Sequence, residues 1–238
     1  MGNEIGQDAF VIGGYVRDQL LNRETKDIDI VAIGSGIDFA KKTAKKLKSS
    51  TVKVFKSFGT AMIIVDDIEV QFVGARKESY RSNSRNPKVE TGTFEEDQKR
   101  RDFTINSFLM DEDENIIDLL DAKSDLENKI IRTINNPVER FNEDALRMLR
   151  AFRFVSKLGF DIEENTLHAI ANLSTSIKDI AIERTMIELS KTFAGKFRNK
   201  ALKYMIESKT SENLFGLEDG IKYISNLDVE LYPLEAFI

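Results

Sequence analysis

The spacing of hydrophobic residues changes along the chain. In the first half, short apolar or alternating runs predict strands at Phe10–Ile12, Asp27–Ile33, Thr51–Phe55, Ala61–Val65 and Ile68–Val73. Asp66-Asp67 lies between the last two and predicts a hairpin turn. Tyr15–Leu21 predicts a helix directly after Gly13-Gly14. Asp38–Lys48 predicts another, with Phe39, Thr43, Ala44 and Leu47 on one face and lysines elsewhere. Residues 77–98 follow no period and predict an irregular loop. After about residue 137 the spacing becomes helical. Asn142 is expected to cap a helix carrying Leu146, Leu149, Phe152 and Val155. Thr166–Leu173, Ile182–Phe193 and Ala201–Ser208 predict three more. The fold expected is an α/β (α+β) head with a mixed sheet, residues 1–130, followed by an all-helical domain, residues 131–238.

Composition narrows the chemistry. The 238 residues include no cysteine, which excludes disulfides, thiolate metal sites and cysteine nucleophiles. His168 is the single histidine, so a histidine-rich metal site is impossible and a metal would have to be held by oxygens. His168 itself is expected at the surface or in packing, and Phe152, Phe154 and Phe160 in the core of the helical part. No apolar run approaches the ~20 residues of a membrane span. MGNEIGQDAF has no basic region followed by an apolar stretch, so a cytoplasmic location is expected. The net charge of −5 works against general attraction to nucleic acid, so local patches decide. Residues 76–101 and 188–209 are rich in Lys and Arg, whereas 210–238 is acidic. Each basic run reads as a solvated face or as an RNA contact.

The candidate chemistry begins at residues 11–31. Asp27 and Asp29 are two apart on a predicted strand, so their side chains share a face at about 7 Å between Cα atoms. Two such carboxylates can grip a pair of divalent cations about 3.5–4 Å apart. One cation would activate an attacking hydroxyl, the other would hold a triphosphate and its leaving group. Alone, the pair equally describes a polar outer face. Gly13-Gly14 ends a short strand and opens a helix, a turn through which phosphate oxygens can approach the backbone closely. Arg17, in the first turn of that helix, can pair with the same phosphates.

The segment VIGGYVRD, residues 11–18, followed by DID, residues 27–29, resembles the tRNA nucleotidyltransferase (CCA-adding) and poly(A) polymerase family of the bacterial–eukaryotic class. Its head resembles the wider polymerase-beta nucleotidyltransferase superfamily. The resemblance implies that Asp27 and Asp29 are the ligands of a two-Mg²⁺ site and that Gly13, Gly14 and Arg17 surround the triphosphate.

Further blocks extend the likeness over roughly residues 10–190. Arg100 to Asn106, RRDFTIN, is similar to the family's second block. There Arg101, Asp102 and Asn106 are candidates for the ribose, whose hydroxyls a carboxylate and an amide can bond. The same residues also read as a basic pair before a helix cap. Glu143 to Arg147, EDALR, is similar to the base-selecting block. Asp144 and Arg147 are expected three apart on one helical face. A carboxylate accepts from the exocyclic amine of cytosine or adenine, and a guanidinium donates to the ring acceptor beside it. Uracil and guanine would leave the carboxylate unpaired. Arg150 and Arg153 extend this ridge toward phosphate. The alternative is ordinary helix design, acids first and arginines later. Asp118–Arg132 is expected to link head and neck, and Arg184 and Glu188, in the last block, to brace the neck.

The pattern also departs from the family. A third carboxylate is expected on the strand at VQFVGAR, where this chain has Gln71, with Glu69 two residues away as a conceivable substitute. Family members continue into a body and tail that grip tRNA, which these residues do not include. The resemblance implies transfer of CMP and AMP from CTP and ATP to an RNA 3′ end, most of all the CCA end of tRNA, with no membrane involved. The alternatives are a poly(A) polymerase, an enzyme adding only CC or only A, and a catalytically weakened RNA- or nucleotide-binding module.

Overall fold

The computed structural model describes residues 6–47, 51–66, 68–79 and 88–227. The chain forms two compact units that divide between Leu126 and Glu127.

The first unit runs, in order, β1 (Ala9–Ile12), α1 (Gly14–Leu20), β2 (Asp27–Ala32), α2 (Gly36–Leu47), β3 (Val52–Phe55), β4 (Thr60–Val65), β5 (Ile68–Gly74), β6 (Arg76–Ser79), β7 (Lys88–Thr91), α3 (Phe94–Lys99), β8 (Leu109–Met110), β9 (Ile116–Ile117) and α4 (Ala122–Glu127). Seven strands make one mixed sheet in the order β3-β4-β5-β2-β1-β8-β9. Only β2 and β5 pair in parallel within it; every other pair is antiparallel. The parallel pair needs a crossover, which α2 and the β3–β4 hairpin provide. The expected hairpin between β4 and β5 is present, with Asp66 at φ 48°.

Strand alternation gives this sheet two unlike faces. Ala32, Ala61, Ile63 and Phe72 are buried against Phe39, Ala40 and Ala44 of α2. The stripe expected on that helix stops at Ala44. Leu47, its last residue, is 43% exposed because the helix ends there. Asp27, Asp29, Glu69 and Gln71 alternate with these apolar positions and therefore lie on the opposite face.

Residues 77–79 and 88–98 carry more regular structure than their composition suggests. β6 and β7 pair antiparallel from Arg76↔Thr91 to Ser79↔Lys88. Thr93 and Glu96 then form a capping box that starts α3, each side chain bonding the other's backbone N–H. The Thr93-x-x-Glu96 spacing carried that signal. Residues 80–87 of the expected loop lie outside the described residues.

The second unit contains β10 (Ile130–Ile131), α5 (Pro137–Glu143), α6 (Leu146–Leu158), β11 (Asp161–Ile162), α7 (Glu164–Leu173), α8 (Ile182–Phe193), α9 (Arg198–Glu207) and α10 (Glu218–Ser225). It is helical apart from the short parallel pair β10–β11. Phe152, Phe154 and Phe160 are buried and His168 is exposed, as expected. Helices α6 and α8 approach closely where the buried Ser156 hydroxyl donates to the Thr192 carbonyl at 2.5 Å. A Cβ on Gly195 would lie 2.0 Å from Ser156 Oγ, so this crossing requires glycine.

The start of this unit corrects one expectation. Asn142 does not cap the helix that carries Leu146. Asn136 instead caps α5, accepting from Val138 and Glu139 N–H, with Pro137 at the first helical position. Asparagine followed by proline is the stronger start signal. It begins a helix six residues earlier than Asn142, and that helix ends at Glu143. No helix among the described residues is long and apolar enough to cross a membrane.

Candidate active site

Strand β2 presents Asp27 exposed and Asp29 partly buried. In the parallel register Asp27 lies beside Glu69 and Asp29 beside Gln71. On the other side Asp29 pairs with Ile12, the last residue of β1. The Gly13 turn therefore leaves the sheet one residue beyond the second acid. Gly13 has φ 73° and ψ −129°, a conformation open in practice only to glycine. Its N–H donates to the Phe108 carbonyl at 3.2 Å, and its carbonyl accepts from Arg17 N–H at 3.1 Å to open α1.

Two cations lie against this turn, Arg101 beside Gly13 and Arg17 beside Gly14. A Cβ on Gly13 would lie 3.4 Å from Arg101 Nη1. Burial raises the Asp29 carboxyl above its ordinary range, the positive charge of Arg101 opposes that, and the neighbouring Asp27 adds to it. Arg101 is itself held by Asp97 at 3.0 Å, and Arg100 holds the same carboxylate at 2.6 Å. Burial alone would push Asp97 up, but the two guanidiniums outweigh it and hold the acid below its usual range.

Arg17 is buried beside Gly14, where a Cβ would lie 3.5 Å from its Nη2. It is 2% exposed, and its guanidinium donates to Asp18 at 2.8 Å and to Asn106 Oδ1 at 2.6 Å. Asn106 in turn donates to Asp102 Oδ1 at 3.1 Å, which also accepts from Phe103 N–H. Asp18, Arg17, Asn106 and Asp102 thus form one buried chain of hydrogen bonds behind the turn. Thr104 ties the same segment to α4 by donating to Asp125 at 2.8 Å. Asp118 caps α4 by accepting from Ala122 and Lys123 N–H.

Asp27, Asp29, Gly13 and Arg101 come together in this unit, with Asp102, Asn106 and Arg17 in the layer behind. Arg101 stands against the Gly13 turn, and its charge acts on Asp29. Its sequence position beside Arg100 gave no sign of this, since the placement depends on Asp97 and on the absent side chain of Gly13. Among the described residues no group of three His, Cys, Asp or Glu side chains is disposed to hold a metal ion. The set at hand is Asp27 and Asp29, with Glu69 and the amide of Gln71 beside them on β5.

In the second unit, Asp144 and Arg147 do not share one helical face. Asp144 is extended, with φ −151° and ψ 104°, and separates α5 from α6. Its carboxylate accepts from Leu146 N–H at 3.1 Å and pairs with Arg184 at 2.8 Å. Arg147 is mostly buried and donates to Glu143 at 2.6 Å and to the Arg140 carbonyl at 2.9 Å. The early end of α5 puts the break between the two residues. Arg153 meets both oxygens of Glu188 at 3.0 and 3.1 Å, and Arg150 reaches the same acid at 3.9 Å. Both arginines lie against the Phe154 ring, 5.1 and 5.5 Å from its centre. Glu188 thus braces the neck through Arg150 and Arg153, and Arg184 through Asp144.

Comparison with known proteins bears on this arrangement. Residues 9–132 match the family model described as poly A polymerase head domain. Residues 159–217 match that described as probable RNA and SrmB-binding site of polymerase A. A CCA-adding enzyme of Pediococcus pentosaceus is 40% identical over 234 residues, covering 98% of this chain and 57% of the relative. One of Bacillus subtilis is 37% identical over 215 residues, 90% of this chain and 53% of the relative. The chain thus spans somewhat more than half the length of these curated relatives. The crystal structure of Bacillus stearothermophilus CCA-adding enzyme in complex with CTP superimposes with a TM-score of 0.83 at 31% identity, over 95% of this chain and 55% of that one. Thermotoga maritima CCA-adding enzyme complexed with tRNA gives 0.77 at 28% identity, over 90% and 50%. With the head model matched over more than half of its residues, the chain belongs to the tRNA nucleotidyltransferase and poly(A) polymerase family.

Proposed function

We propose that this chain transfers CMP and AMP from CTP and ATP to the 3′ end of tRNA, completing or repairing CCA without a template. The observation that carries the reading is the placement of Asp27 and Asp29 on the open sheet face, one residue from the Gly13 turn. The likeness to CCA-adding enzymes across almost the whole chain supports it.

The site suits magnesium. Mg²⁺ is commonly held by one or two carboxylates together with substrate phosphates and water, and Asp27 and Asp29 offer that set on one face. When bound, the metal would supply activation of the RNA 3′-hydroxyl and neutralisation of the pyrophosphate that leaves. The chain's own residues do the rest. Asp27 and Asp29 fix the place of reaction. The turn at Gly13 and Gly14 admits the triphosphate, with Arg101 as the adjacent cation and Arg17 holding the wall behind through Asn106. Asp102 and Asn106 form the ribose side. In the neck, Asp144 accepts the exocyclic amine and Arg147 addresses the ring, while Arg150 and Arg153 offer charge to phosphate. Residues 1–130 would carry the chemistry and residues 131–238 the choice of base and RNA. A tRNA substrate supports the cytoplasmic location expected from the sequence.

The test is extension of tRNA lacking its CCA end by purified protein with Mg²⁺ and labelled CTP or ATP. Incorporation is expected from both nucleotides and is lost in Asp27→Ala. Incorporation that survives this change would overturn the assignment. Products from CTP alone, ATP alone and both separate CCA addition from CC, A or poly(A) synthesis. A second reading, a binding module with weakened catalysis, is favoured by Gln71 beside Asp29. It requires nucleotide binding without release of pyrophosphate.

A further inference from the structure

The open face of the sheet does not end at the acid pair. Its rows of directly paired residues run sideways from Asp29 to Gln71, Met62 and Lys53, and from Val31 to Val73, Thr60 and Phe55. Paired residues share a face, so Phe55 and Lys53 lie on the same side as Asp29. Next to Phe55, the short turn Lys56–Phe58 carries Phe58 outward. Phe58 is 69% exposed and Phe55 43%, among the most exposed large apolar side chains described. They wall a groove of about 390 Å³ whose other sides include Gln71, Arg76 and Arg100. That volume lies within the roughly 300–1,000 Å³ of small-ligand sites. Exposed lysines 53 and 56 stand beside it.

We propose that Phe55 and Phe58 form a stacking platform for the bases just upstream of the reacting 3′-hydroxyl, in single-stranded RNA. The inference rests on the proposed function and extends it from the reacting atoms to the incoming strand. Three features select this occupant. Aromatic faces next to basic side chains are the usual chemistry for holding unpaired nucleotides irrespective of sequence. The groove is continuous with the acid pair, because Gln71 both lines it and lies beside Asp29. With strands about 4.8 Å apart and residues about 3.3 Å apart, Phe55 lies about 16 Å from Asp29, a few nucleotides back along an extended strand.

The chain contains no tryptophan, so Phe58→Trp introduces a single fluorescent reporter. Titration with single-stranded RNA ending in CC, without nucleotide, is expected to quench it saturably. Phe55→Ala/Phe58→Ala is expected to raise the KM for RNA about tenfold, with no matching rise in the KM for CTP. Phe58→Tyr, which keeps an aromatic ring, should restore the RNA KM. Absence of quenching in a protein that extends RNA overturns the platform and leaves the proposed function standing. Quenching in a protein that extends nothing supports the platform and overturns the proposed function. A loss of self-association in Phe58→Ala with the RNA KM unchanged would assign the patch to a second copy of the chain and overturn the inference.

Discussion

Gln71 lies directly beside Asp29 across the one parallel strand pair of the sheet. An amide at this place can donate an oxygen to a cation but brings no charge. Gln71→Glu is therefore expected to tighten the metal site, because divalent-cation affinity rises with the number of charged ligands. The half-saturating Mg²⁺ concentration for nucleotide incorporation should fall by about tenfold in this variant. Gln71→Ala should move it the other way. A magnesium titration of initial rates reads both, and an unchanged midpoint in Gln71→Glu would place the metal away from β5.

Arg17 and Asp18 form an ion pair with both side chains almost fully buried. Removing one partner of such a pair strands the other in a poorly solvating interior, at a cost of about 3–5 kcal/mol. Arg17→Met should show this as a lowered midpoint in urea. Much of the loss should return in Arg17→Met/Asp18→Leu, where no charge is left behind. Both variants also release Asn106 and should raise the KM for CTP, so stability and substrate binding separate in the double variant.

Asp97 is held by Arg100 and Arg101 below its ordinary value of 3.8. A carboxyl shifted down on folding favours the native state above its unfolded value, and that contribution disappears as pH falls through the folded one. Stability of the head should therefore drop on acidification below about pH 4, in the range set by that lowered value. Asp97→Asn should flatten this acid limb in urea unfolding measured across pH. It should also lower activity at neutral pH, since Arg101 loses the anchor that keeps it beside Gly13 and Asp29.

Some of this was legible in the order of residues. Two aspartates at a spacing of two on an alternating run can only share a face, so their pairing survived intact. Gly13 followed a strand and preceded a helix, and its left-handed backbone is the physical reason for glycine there. Other parts depended on contacts that no local period reports. Arg17 reads as an arginine in a first helical turn. Its burial comes from Asn106, 89 residues away. The start of α5 was written in Asn136-Pro137, but Asn142 offered a competing start within an unbroken helical pattern. Phe55 counted as an ordinary apolar strand residue. Its exposure follows from its place at the end of β3, the edge strand of the sheet, which strand alternation by itself does not reveal.

The alternation along β2 and β5 has an evolutionary consequence. Asp27, Asp29, Glu69 and Gln71 share one face, which further along the strands is covered at Val31 and Val73, whereas the even positions between them anchor the sheet to α2. Selection can therefore rewrite residue 71 without disturbing the hydrophobic interior against α2. Catalytic drift and structural decay are uncoupled in this scaffold, so a lineage could trade one chemistry for another, or lose it, while its members still fold.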